Sequence, residues 1–165
     1  MKLFPSKTFN VELRENHSIV IARLERKTDI TDSLVSARTD KEFRGQVKRN
    51  KFKLISSEIG YGALCILIGQ FDGKLGKIEI RLHKAFKVMF SILMLLPIIG
   101  FGIAVFTVGI ENSYGLVIPL LMGILFIRYA LLELSFRFSS KTGLDKLTKI
   151  LGITKLEKNE VQQYL

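Results

Sequence analysis

With 165 residues, 48% hydrophobic side chains and a net charge of +10, the chain has room for one small domain plus two apolar helices. Its single cysteine, Cys65, excludes an intrachain disulfide and suits a reducing compartment. The opening MKLFPSKTFNVELRENH lacks the continuous apolar core of a cleaved secretory signal.

In chain order, the first elements read as strands. Thr8–Leu13 alternates Phe9, Val11 and Leu13 against Asn10 and Glu12. Ser18–Glu25 holds the β-branched run Ile19-Val20-Ile21, with Glu15-Asn16-His17 as a turn before it. Thr28–Asp40 is polar and weakly patterned, a loop with one helical turn after Asp32. Phe43–Val47 and Phe52–Ile59 flank Arg49-Asn50-Lys51 as a hairpin. Gly60–Phe71 carries the apolar run Ala63–Ile68, which suits a strand covered on both faces. Asp72-Gly73 marks a turn, and Gly76–Leu82 sets Ile78, Ile80 and Leu82 against Lys77, Glu79 and Arg81. Five to seven antiparallel strands follow from this, as a small barrel or a strongly curved sheet.

Val88 to Ile110 is 23 residues without a charge, and a second apolar stretch runs from about Tyr114 to Leu134. Each is long enough to cross a hydrocarbon core of ~30 Å as a helix. Residues 1–87 carry 18 basic against 10 acidic side chains, and residues 128–165 carry 7 against 4. The link between the stretches holds only Glu111. Basic flanks stay in the cytoplasm, so both termini are expected inside and the hairpin tip outside. The expected fold class is a two-span membrane α-helical hairpin plus a small, mainly-β cytoplasmic domain with a C-terminal amphipathic helix. Residues 1–85 form the β-domain, 86–136 the hairpin and 137–165 the C-terminal helix and tail. In that tail, Thr142-Gly143-Leu144-Asp145 reads as a capping box. Leu144, Leu147, Ile150 and Leu151 share a helical face, and Gly152 is a stop. The helix either caps the sheet, the favoured reading, or lies among lipid headgroups. Residues from Lys155 on read as loosely ordered.

Arg44, Lys48, Arg49, Lys51 and Lys53 are five basic residues within ten positions. They fit a solvated strand edge guarded by charge, a surface drawn to anionic lipid headgroups, or a pocket for a phosphate-bearing ligand. Nucleic acid is disfavoured because the domain is tied to a membrane. Just before the first apolar stretch stand Arg81, His83, Lys84 and Lys87, a junction without slack. Arg128 lies inside the second stretch, where a snorkelling side chain reaches the interface. Glu133, five positions on, is about 140° around an α-helix from Arg128, so no intrahelical pair is expected. Gly100 with Ala104, and Gly115 and Gly123, offer small surfaces for helix packing within or between protomers. Pro97 and Pro119 are candidate kinks. His17 and His83 stand 66 positions apart with no ligand cluster, so no metal or other cofactor is expected. Cys65 reads as a small core hydrophobe. Gly60-Tyr61-Gly62 and the glycines at 69, 73 and 76 read as bends in the sheet. No triad or paired carboxylates assemble, and the chain reads as non-enzymatic.

The stretches Phe43-Arg44-Gly45-Gln46-Val47, Phe52-Lys53-Leu54, Ile59-Gly60-Tyr61, Gly69 and Ile78–His83 resemble uncharacterised small bacterial two-span membrane proteins with an N-terminal β-rich segment. The resemblance covers about residues 43–150, departs from the usual form after Tyr61, and implies a location. The layout is also similar to the membrane effectors of anti-phage cyclic-oligonucleotide signalling, although those place the spans first. That analogy implies a homo-oligomeric sensor that binds an anionic or nucleotide ligand and acts on the membrane. Two rival readings are a tethered interaction module, such as an immunity or accessory subunit with a protein partner, and a structural anchor on anionic lipid.

Overall fold

A computed structural model describes residues 4–35, 37–58 and 62–158. Two compact units divide the chain, residues 1–83 with 138–165, and residues 84–137. Ile59, Gly60 and Tyr61, expected to end a strand and begin a bend, lie outside the described residues, as do positions 159–165.

The first unit is built on a seven-stranded sheet. Its strands are β1 (Ser6–Leu13), β2 (Thr28–Ile30), β3 (Phe43–Lys48), β4 (Lys51–Ser56), β5 (Cys65–Asp72), β6 (Leu75–Leu82) and β7 (Ile153–Lys158). The order is β2-β3-β4-β5-β6-β1-β7, so the sheet is open, and of the two expected forms, barrel or curved sheet, the barrel is not formed. It is also mixed, because β2 runs parallel to β3 while the other pairs are antiparallel. Two-residue turns close the β3–β4 and β5–β6 hairpins, where Lys48 pairs with Lys51 and Asp72 with Leu75. Gly73 takes φ +61 in the second turn, a conformation that glycine adopts without a Cβ clash.

One face of the sheet is covered. Phe9, Val11, Phe52, Leu54, Leu67, Phe71, Ile78, Ile80 and Leu82 alternate onto it and are buried. The Phe52 and Phe71 rings, with centroids 5.8 Å apart, lie over the backbones of Gly69 and Gly76, where a Cβ would collide with them. Those two glycines thus act as seats for aromatic rings. Helix α1 (His17–Arg26) and the later part of α5 (Leu134–Leu151) lie over this core. Leu147 and Leu151 are fully buried, and Gly143 sits against Leu67. The C-terminal helix therefore caps the sheet.

Helix α1 replaces the strand expected at Ser18–Glu25. Asn16 caps it by accepting from the Ser18 backbone N–H, and Val20, Ile21 and Leu24 are buried at helical spacing while Ile19 stays exposed. The loop expected from Thr28 instead begins with β2, and no helical turn follows Asp32 among the described residues. Strand β5 buries one face only, since Ile66 and Ile68 are half-exposed. Thr142 does not begin a helix, because α5 is already continuous from Leu134. Gly152 does end it, at φ +62. The tail expected to be loose forms β7 as far as Lys158 and pairs with β1.

The second unit holds α2 (Lys84–Val108), α3 (Ile110–Ser113), α4 (Val117–Leu125) and a π-helical stretch, Phe126–Glu133, that leads into α5. Two helical runs, Lys84–Val108 and Ile110–Leu151, are long and apolar enough to cross a membrane. The second is one run of 42 residues, so the span and the C-terminal helix expected as separate elements are continuous. Pro97 lies inside α2, and Pro119 is the third residue of α4, inside the second run, where each lacks a helical N–H donor.

Candidate functional site

The face of the sheet away from α1 and α5 is open along its lysine rows and closed at Ile55, which is fully buried. Strand register decides which residues share it. Lys48 faces Lys51, Lys51 faces Gln70, Gln70 faces Lys77 and Lys77 faces Asn10. The next row reads Gln46, Lys53, Ile68, Glu79 and Thr8, and in the row beyond, Arg44 faces Ile55 and Ile66 faces Arg81. Neighbouring strands lie ~4.8 Å apart, so Lys48, Lys51 and Lys77 span ~14 Å in a row that holds no acid until Glu157 of β7, opposite Asn10.

These basic groups differ in how they are held. The Arg44 Nε is 3.6 Å from Asp29 Oδ2, and its side chain is only 19% exposed. Arg81 lies against Glu79 through two hydrogen bonds, at 2.5 and 2.6 Å. That carboxylate raises the pKa of the Arg81 guanidinium, through the hydrogen bonds first and its charge second. Lys48, Lys51, Lys53 and Lys77 are exposed and form no ion pair among the described residues. Arg49 sits in the turn itself. Of the five basic residues singled out in the sequence, four therefore share the free face with Lys77 and Arg81, which come from β6.

Beyond β6, burial first and the Lys53 charge second hold the His83 imidazole below its ordinary value of 6.5. Cys65, on the covered face, is 4% exposed. Burial pushes its thiol up to about 11, against a smaller lowering by a hydrogen bond with Ser139 and by the Lys7 charge, so little of it is thiolate at neutral pH. On the same side of the sheet, Lys7 Nζ donates to Ser140 Oγ at 2.7 Å.

A shallow trough of about 680 Å³ opens on the free face between β5, β6 and β1. Asn10, Ile68, Gln70, Leu75, Lys77 and Glu79 line it. Sequence reasoning passed over Gln70 and Lys77 because they are far in sequence from the Arg44–Lys53 cluster. Only the β4–β5–β6 register brings them beside Lys51.

In the second unit, Arg128 Nη1 lies 3.4 Å from Glu133 Oε2, and Arg137 Nε donates to Glu133 Oε1 at 3.1 Å. The first contact corrects the expectation that Arg128 and Glu133 form no intrahelical pair. A π-helix closes on i→i+5 rather than i→i+4, which brings positions five apart onto one side. Lys84 and Lys87 occupy the first turn of α2. Side chains built at Gly100 or Gly115 would meet nothing within 4 Å, whereas one at Gly123 would touch Pro97 at 3.6 Å. Gly100 instead borders a groove of about 320 Å³ with Pro97, Phe101, Leu116, Pro119 and Leu120.

No family model, curated protein or solved structure matches the chain.

Proposed function

We propose that the protein is a non-enzymatic sensor anchored in the bacterial inner membrane by its two apolar helices. On this reading the sheet domain faces the cytoplasm and binds an anionic ligand on its free face. One observation carries it. Lys48, Lys51 and Lys53 project from a sheet face that no helix of their own unit covers, and no carboxylate neutralises them among the described residues. Clustered like charges repel one another, and a bound anion relieves that repulsion while gaining charge-assisted hydrogen bonds. Only His83 separates β6 from α2, so the link from domain to apolar helix is short. Oligomerisation of the apolar helices is the expected output.

The test uses the full chain in phosphatidylcholine vesicles, with oligomer size and vesicle leakage followed as inorganic phosphate or polyphosphate is added. Lys51→Glu with Lys53→Glu should remove both the binding and the response while the fold stays intact. Arg44 is a poorer target, since reversing its charge also sets it against Asp29. The sensor reading fails if the double variant responds like the parent. Binding that needs anionic lipid, fades steeply with salt and changes no oligomer would make the protein an anchor instead. Co-purification with one defined protein, without any anion response, would make it an interaction module.

A further inference from the structure

The two edges of the sheet differ in what they leave open. Strand β2 ends one side with three residues, and β7 ends the other with six. Short edge strands, prolines and bulges guard a sheet against pairing with another chain. Length guards β2. Strand β7 holds no proline, and its register shift lies at its beginning, between Ile153 and Lys155. Thr154 to Lys158 are all exposed, Leu156 by 38%.

Backbone hydrogen bonds show which groups of β7 look outward. Leu13 N–H donates to the Lys74 carbonyl on the β6 side, whereas Arg14 N–H donates to the Gly152 carbonyl and the Glu12 carbonyl accepts from Thr154 Oγ1. Even-numbered residues of β1 therefore turn their backbone groups towards β7. Pairs that exchange hydrogen bonds alternate with pairs that do not in an antiparallel ladder. Glu12–Lys155 and Asn10–Glu157 thus exchange them, and Val11–Leu156 does not. The Leu156 N–H and C=O point away from β1, to an edge on which no described strand lies.

That edge is complementary to itself. Set a second β7 antiparallel, with Leu156 opposite its own copy, and the two Leu156 residues exchange both backbone hydrogen bonds. Lys155 of each copy then stands opposite Glu157 of the other, in the non-exchanging pairs whose side chains approach most closely. Lysine can guard an edge by repulsion, but in this register each Lys155 faces an acid. Within one chain the two groups already meet at 2.7 Å, an exposed pair that a second copy can exchange for two. Leu156 lies on the same face as the buried Val11, so the two leucines extend the core across the edge. Centring the pair on Lys155 or Glu157 instead sets like charges opposite each other.

We infer that β7 is a self-association edge, through which two copies of the chain join into one continuous sheet about a two-fold axis at Leu156. A strand pair of this length is weak by itself, and anchoring both copies in one membrane, as proposed above, raises their effective concentration. The pairing makes no use of the anion site, and either can fail without the other.

The full chain in phosphatidylcholine vesicles is oxidised mildly with copper phenanthroline and resolved on a non-reducing gel. Cys65 is buried and leaves the background silent. Chains carrying Lys155→Cys, mixed with chains carrying Glu157→Cys before reconstitution, should give at least about tenfold more disulfide-linked dimer than either alone. Facing Cα atoms lie ~4.5 Å apart in such a pair, whereas either variant alone would have to bridge ~8 Å, beyond the reach of a disulfide. Charge supplies the second arm, with Leu156→Cys as the reporter. Adding Glu157→Lys should lower its cross-linking at least about fivefold, and adding Lys155→Glu as well should restore it. Both positions are exposed, so these variants should fold, as circular dichroism would verify. Equal cross-linking of the mixture and the single variants, or none in any, would overturn the β7 pairing; a dimer that persists then belongs to the apolar helices. Failure of the charge-swapped chain to recover, with its circular dichroism unchanged, would overturn the complementary register.

Discussion

At His83, burial and a neighbouring positive charge act in the same direction. Both disfavour the imidazolium, so folded His83 titrates below its ordinary value of 6.5. Just below that pH the unfolded chain binds the proton more readily than the folded one does. This residue's share of stability is therefore intact at neutral pH and falls away as the pH drops from about 6.5 through the folded value. A carbon-detected NMR titration of the ring should give a midpoint under the ordinary value. Lys53→Met should move that midpoint upward by part of the difference and leave the larger share, which belongs to burial. An unmoved midpoint would mean that Lys53 does not act on the ring.

The later half of α5 tests the covered face at the level of the element. Leu147 is fully buried under it, so Leu147→Ala should cost about 2–5 kcal/mol. Lys149→Ala, on the exposed side, should change stability by less than about 0.5 kcal/mol. Urea titrations of the full chain in detergent, followed by circular dichroism, would decide; equal effects would mean that α5 does not cap the sheet. This helix was legible, because Leu144, Leu147, Ile150 and Leu151 repeat at helical spacing and Gly152 stops them. Helix α1 was not, since Ile19-Val20-Ile21 is too short a run to show whether its period is 2 or 3.6. The better clue lay outside the run, in Asn16 as a cap and Leu24 one turn after Val20. Strand β7 escaped for another reason. All but its first residue are exposed, and it is held by backbone pairing to β1, which no side-chain pattern reveals. The basic hairpin was legible as a local cluster. Its extension across the sheet was not, because Lys77 and Gln70 reach Lys51 only through the register of three strands. The Arg128–Glu133 pair was missed because the 140° separation assumes an α-helix, while the segment is π-helical.

On the scale of the whole molecule, the proposal makes a claim about topology that labelling can check. If both apolar helices cross, as proposed, the sheet domain and the α3 link are expected on opposite sides. In the proposal the charge distribution assigns the sides, with 18 basic residues up to Lys87 and only Glu111 as a charge in the link. The chain also supplies its own silent background. Its single cysteine, Cys65, is 4% exposed, and burial raises its thiol to about 11, so it reacts poorly with maleimide. A cysteine introduced as Asn112→Cys should be labelled by a membrane-impermeant maleimide in intact spheroplasts. One introduced as Lys48→Cys should be labelled only after permeabilisation. The reverse pattern would keep the two crossings, turn the domain outward and remove the cytoplasmic ligand from the proposal. Labelling of both positions in intact cells would place the tip and the domain on the same outer side, which two crossings do not allow. The free sheet face would then have to be read as the binding surface of a protein that does not span the membrane. The parent chain, carrying only Cys65, should stay unlabelled throughout, and strong labelling of it would show that the covered face of the sheet opens.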